Sequence, residues 1–133
     1  MAEADVVVRI EDTAFVIECK SRRATKTDTC VTFEDASARV RAVGAWAAQV
    51  RRTAEFFAQH PVGPIHAVPT DIRWIVPIVC SEGLEIDWLQ PESAYLVPRE
   101  VSIFMRADEL VQFLLSTQWR AAESRAYQYR VRR

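Results

Sequence analysis

The chain reads as a mixed α/β (α+β) domain with elements in the order strand, strand, helix, strand, strand, helix. Three features predict it. Residues 5–10 and 14–20 are rich in β-branched side chains, with only Glu11, Asp12 and Thr13 between them, the signature of an antiparallel hairpin. Val40, Val43, Ala47, Val50, Ala54 and Phe57 recur at alternating steps of three and four, an apolar stripe at helical period. Residues 72–80 are apolar on both faces, as expected of a strand inside a sheet.

Each element follows in turn. The hairpin has no Gly for a primed two-residue turn, so a longer or bulged connection is expected. Residues 21–34 are polar without period and read as a loop. The helix spans residues 35–59. Ala38, Ala42, Ala45, Gln49 and Phe56 form a second, mostly small or apolar row, which predicts cover on more than one side. His60-Pro61 and Gly63-Pro64 end it. In the third strand Pro77 has no N–H for a ladder, which predicts a bulge or strand end there. Residues 81–83 turn the chain, and residues 94–97 and 101–105 are short strands. A C-terminal helix covers residues 108–118, with Leu110, Phe113, Leu114 and Trp119 along it. Residues 1–118 thus form the domain, and residues 119–133 an Arg-rich basic tail.

Length and composition narrow the class. The 133 residues suit one domain, and a hydrophobic fraction of 50% with 26% charged is globular. No apolar run is long enough for a membrane helix, and no basic region followed by an apolar stretch marks a signal peptide. Cys19, Cys30 and Cys80 are odd in number, widely spaced and without zinc spacing to His60 or His66; a reducing, cytoplasmic setting is the simplest reading. Cys19 is expected to be a small buried hydrophobe. The formal net charge of -1 hides a strong segregation. Residues 1–19 carry -4, residues 20–52 carry +5, residues 71–118 carry -5 and residues 119–133 carry +4. Such runs are usually solvated faces, but basic segments flanking an acidic cluster also suit a polyanion.

The chemistry concentrates in the hairpin. Residues two apart on a strand share a face, so Glu18 and Lys20 point together while Cys19 points away. Asp5 begins the partner strand with Glu3 on its face, and the hairpin brings Asp5 beside Glu18 and Lys20. Crowded carboxylates repel unless a cation intervenes. Hard oxygen ligands with open water positions suit Mg²⁺ or Mn²⁺, and such a metal activates water for phosphodiester hydrolysis. Lys20 can orient that water or offset phosphate charge. The alternative is a surface hairpin with an exposed cross-strand ion pair.

Asp5, the hairpin, and the apolar Phe15-Val16-Ile17 leading into Glu18-Cys19-Lys20 resemble the PD-(D/E)xK nucleases, the restriction-endonuclease-like superfamily, with Ala4 at the proline of the motif. The resemblance covers residues 3–80 and implies a mixed central sheet with an N-terminal hairpin and one long packed helix. It implies Asp5 and Glu18 as metal ligands, joined by the Cys19 backbone carbonyl, and Lys20 serving the attacking water. Glu3 matches an additional acid found in some members, and Gln49 is the candidate for a helix residue near the site. The family core begins with a helix and a strand ahead of the motif aspartate. Only four residues precede Asp5 here, so the chain is expected to be a fragment or to be completed by a second copy or a partner chain at an open sheet edge.

Arg22, Arg23 and Lys26 follow the motif directly, and Arg51 and Arg52 lie on the helix. They read either as solvated side chains or as phosphate contacts. Trp119, Tyr127 and Tyr129 alternate with arginines in the tail, a pattern suited to stacking on bases. Trp46, Trp74 and Trp88 read as core or interface residues. The expected function is Mg²⁺-dependent hydrolysis of DNA by Asp5, Glu18 and Lys20. The alternative is a catalytically silent nuclease-like module that binds nucleic acid or assembles a complex.

Overall fold

In the computed structural model of the chain, the described residues are 3–20, 33–81, 95–97, 101–116, 118–120 and 128–133. They form a mixed α+β arrangement. Strand β1 (Val6–Ile10) pairs antiparallel with β2 (Thr13–Lys20). Helix α1 (Phe33–Gln59) carries the chain over to β3 (Trp74–Ser81), which runs parallel to β2. Short strands β4 (Tyr95–Val97) and β5 (Val101–Ser102) pair with each other in a separate sheet. Then come β6 (Phe104–Met105), helix α2 (Ala107–Leu115), a 3₁₀ turn (Gln118–Arg120) and β7 (Tyr129–Arg130). The central sheet has the order β1-β2-β3-β6, with β7 also on β3.

The hairpin closes more tightly than its sequence suggests. Ile10 pairs with Thr13, so Glu11 and Asp12 alone make the turn. No Gly is needed, because Glu11 itself takes a positive φ of 55°. The Asp12 carbonyl accepts the N–H groups of Arg73 and Trp74 at 2.7 and 3.1 Å, which ties the turn to the start of β3 and helps hold the unfavourable conformation.

Pro77 causes neither a bulge nor a strand end: β3 runs through it in continuous register with β2. The reason lies on the other edge of β3. The Arg73 carbonyl accepts the Val131 N–H, and the Val79 N–H donates to the Ile103 carbonyl, so odd-numbered residues of β3 face that edge. β7 pairs at residues 74 and 75, and β6 at residues 79 and 80. Pro77 falls in the gap between them, where no ladder bond is lost.

Both faces of β2 and β3 are covered. On one face Phe15 meets Phe113 of α2 and Trp119 edge to face, with ring centroids 6.2 and 5.3 Å apart. The other face, that of Val16, Ile75 and Val79, is buried beneath α1. The buried stripe of α1 is Val43, Ala47, Val50, Ala54 and Ala58, and the side chain of Val40 lies outside the described residues. The expected second covered row is not buried: Ala38, Ala45, Gln49 and Phe56 are exposed, and Ala42 is half-buried. The run at 101–105 is divided at Ile103 between the two sheets, where Ser102 Oγ accepts the Phe104 N–H. α2 ends at Leu115, three residues short of the expected end, and the Ser116 N–H closes it onto Gln112 and Phe113.

Of the segment set apart in the sequence as a basic tail, the described residues 119–120 and 128–133 pack on this core. Trp119 is 1% exposed and Val131 is buried. β7 joins the sheet, and the Arg132 N–H donates to the Ala58 carbonyl. Arg120 lies over the Trp119 ring and pairs with Glu11 at 2.9 Å. Trp119 therefore has no face free for a base, because its ring fills the space above Phe15. Trp46 and Trp74 are half-buried, while Trp88, Tyr127 and Arg125 lie outside the described residues. No helix among the described residues is long and apolar enough to cross a membrane.

Candidate functional site

The register of the hairpin assembles the site. Val6 opposes Ile17, so the residue before β1, Asp5, falls beside Glu18. The Cys19 N–H donates to Asp5 Oδ2 at 2.8 Å. This bond fixes the Asp5 carboxylate at the last turn of the pleat, next to the Glu18 side chain. Lys20 Nζ lies 4.0 Å from Glu18 Oε2 on the same face. These three residues meet at the carboxyl ends of the parallel strands β2 and β3, where ligands collect in open α/β sheets.

The environment of Glu18 is the notable electrostatic feature. Glu18 is only 5% exposed, whereas Asp5 and Glu3 are exposed and Lys20 is partly so. Burial pushes the Glu18 carboxyl above the usual glutamate range, and the Asp5 charge raises it further. Lys20 pulls in the opposite direction. A hydrogen bond with Asp5 and the more weakly acting Glu3 add to the upward shift. Because Glu18 is buried, the group is not the exposed cross-strand ion pair of the alternative reading.

The donor set is compatible with a hard cation. Two carboxylates face each other with one ammonium for compensation, and the group that is hardest to ionise is the one a cation would relieve. Among the described residues no three His, Cys, Asp or Glu side chains are arranged to hold a metal ion. Asp5 and Glu18 are the two described carboxylates that meet at this end of the sheet. Glu3 stands near enough to act on Glu18 but is exposed at the chain's edge.

Other candidates fare differently. Cys19 is exposed rather than buried, because at the end of β2 it lies beyond the cover that protects Phe15 and Ile17. Gln49 is exposed on α1, its carbonyl receiving the Thr53 hydroxyl at 3.1 Å, and no hydrogen bond among the described residues joins its side chain to the carboxylates. Arg51 is half-buried and its guanidinium donates to the Tyr95 carbonyl, so it anchors β4 rather than offering a free cation to phosphate. Arg52 is exposed. Arg22, Arg23 and Lys26 lie outside the described residues. His66 packs on Phe56 and Phe57, and its Nε2 is 2.8 Å from the His60 carbonyl, away from the carboxylates.

One residue of the site is not apparent in the sequence. Ser81 looks like the start of a turn, yet it ends β3, is buried, and lies in register with Lys20. Its only sequence signal is its place just after an apolar run, a place shared by turn residues. No protein-family model, curated protein or solved structure matches this chain.

Proposed function

We propose that the protein is a metal-dependent nuclease with a restriction-endonuclease-like core, hydrolysing DNA phosphodiester bonds. The observation that carries this reading is the buried Glu18, raised in pKa and set against Asp5 and Lys20 at the open end of parallel strands. Functional sites are where burial and neighbouring charge are arranged to shift carboxyl groups in this way. Asp5, Glu18 and the Cys19 carbonyl are the groups that would hold Mg²⁺ or Mn²⁺. When bound, the ion supplies Lewis-acid polarisation of phosphate and a lowered pKa for water. Asp5 is pre-oriented by the Cys19 N–H, and Lys20 is positioned to align the attacking water and offset charge on the scissile phosphate. DNA is the partner this chemistry implies, and the β1 edge, with Val6 and Val7 43% and 58% exposed, is where a second copy or partner strand would complete the sheet.

The test is conversion of supercoiled plasmid to open or linear forms by the purified chain. Cleavage that requires Mg²⁺ or Mn²⁺ and stops with chelator supports the reading. Titration calorimetry separates it from a silent module: an active site takes up Mn²⁺ in the wild type and not in Asp5→Ala, whereas a silent one shows no carboxylate-dependent uptake.

A further inference from the structure

The two ends of the central sheet differ in charge. The carboxylates lie at the carboxyl ends of β2 and β3, where Lys20 and Ser81 are in register. Both strands are eight residues long, which puts their amino ends about 23 Å away. There the arginines gather. Arg73 immediately precedes β3, and its carbonyl accepts the Val131 N–H at 2.9 Å. Arg130 pairs with Trp74. Val131 is buried, so in this extended segment its neighbours Arg130 and Arg132 turn together to the opposite side. Arg73, Arg130 and Arg132 are all exposed. Arg133 adds a fourth cation, its guanidinium held by the carbonyls of Pro69 and Ile72.

No acid balances this corner. Among the described residues, no ion pair or side-chain hydrogen bond engages the guanidinium of Arg73, Arg130 or Arg132. The acids at this end are committed elsewhere: Asp71 pairs with Arg9, and Glu11 with Arg120. The backbone holds the cations together despite their repulsion, through the Val131 N–H on Arg73 and the Arg132 N–H on the Ala58 carbonyl. An anion relieves that repulsion.

We propose that Arg73, Arg130, Arg132 and Arg133 form a nucleic-acid-binding surface that grips backbone phosphates without regard to base sequence. All four cations are arginine, whose planar fork matches phosphate oxygens in pairs. An anionic membrane fits less well, because insertion needs apolar side chains beside the charge. Here Ile72, Ile75 and Val131 are buried, and the strongly exposed Val62, Ile65 and Leu115 lie on neither β3 nor the segment 128–133. The surface stands at the far end of the sheet from Asp5 and Glu18 and needs no metal, so it does not rest on the nuclease reading.

The experiment is fluorescence anisotropy of short labelled DNA duplexes with the full chain, in chelator, at several salt concentrations. The wild type is expected to bind duplexes of unrelated sequence alike. Arg130→Gln/Arg132→Gln, shown by melting to be folded, is expected to weaken binding to all of them and to lower the salt slope by about two. Arg73→Gln lowers it by about one. The proposal is overturned if the wild type does not bind at low salt, if the folded double variant keeps the wild-type slope and affinity, or if the chain binds phosphatidylserine vesicles and not the duplex. Should the double variant not fold, Arg130→Gln and Arg132→Gln are measured singly, and an unchanged slope in both overturns the proposal. A wild type that binds through these arginines but leaves plasmid uncut with Mg²⁺ keeps this surface and loses the nuclease reading. Metal-dependent cutting with full binding by the double variant does the reverse.

Discussion

The Asp5 carboxylate accepts the backbone N–H of Cys19 at 2.8 Å, across the end of the hairpin. That bond does two things at once. It fixes a charged carboxylate beside the buried Glu18, and it fixes the Cys19 peptide, whose carbonyl is the third oxygen of the proposed metal site. The cost appears at Glu18, whose carboxyl is raised above its ordinary range by burial and then by Asp5.

Glu18→Gln removes this cost. The folded chain holds its proton on Glu18 to higher pH than the unfolded chain does, so the contribution of Glu18 to stability is full below the ordinary glutamate range. It is lost as pH rises through the raised value. At neutral pH the amide is therefore expected to stabilise the fold by about 0.5–2 kcal/mol while abolishing metal-dependent cleavage. Thermal melts from pH 4 to 8, read against wild type, should show the gap between the two proteins widening with pH. A destabilised Glu18→Gln at neutral pH contradicts the electrostatic account.

Metal and proton compete for the same carboxylate. Mn²⁺ affinity measured by calorimetry should rise with pH through the range in which Glu18 ionises, and binding should release protons to the buffer. Saturating Mn²⁺ is expected to raise the melting temperature of the wild type and to leave that of Asp5→Ala unchanged.

Trp119 separates packing from nucleic-acid contact. It is buried edge to face on Phe15, and the Gln128 side chain donates to its carbonyl at 2.8 Å. Trp119→Ala should cost about 3–5 kcal/mol by denaturant titration. Trp119→Phe, which keeps an apolar ring, should leave DNA affinity unchanged. Weakened DNA binding by a fully folded Trp119→Phe would show that the ring serves the ligand after all.

Arg51 and Arg52 are neighbours in sequence with opposite expected effects. Arg51→Ala removes the donor to the Tyr95 carbonyl and should cost about 1.5–3 kcal/mol in stability. Arg52→Ala leaves the fold intact. On the nuclease reading it weakens duplex binding for all sequences and lowers the salt slope by about one. Melts and fluorescence anisotropy at several salt concentrations distinguish them.

The order of elements was legible because β-branched runs and a three-four apolar spacing are local signals. The meeting of Asp5, Glu18 and Lys20 was legible too, since strand alternation and a hairpin are enough to bring them together. What escaped depends on distant neighbours. The two-residue turn at Glu11 is held in part by β3, far along the chain. Pro77 is harmless only because β6 and β7 leave a gap opposite it. Trp119 sits among arginines in sequence, yet its surroundings are set by Phe15. The exposure of Cys19 and the role of Arg51 depend on where other layers begin and end, which no local pattern records.

The most direct measurement is the single-turnover rate of plasmid cleavage with Mg²⁺ for wild type, Asp5→Ala and Lys20→Ala, each shown to be folded. The account predicts metal-dependent cutting by the wild type and a fall of about 10²–10⁴-fold in both variants. Cleavage at the wild-type rate in both variants contradicts it.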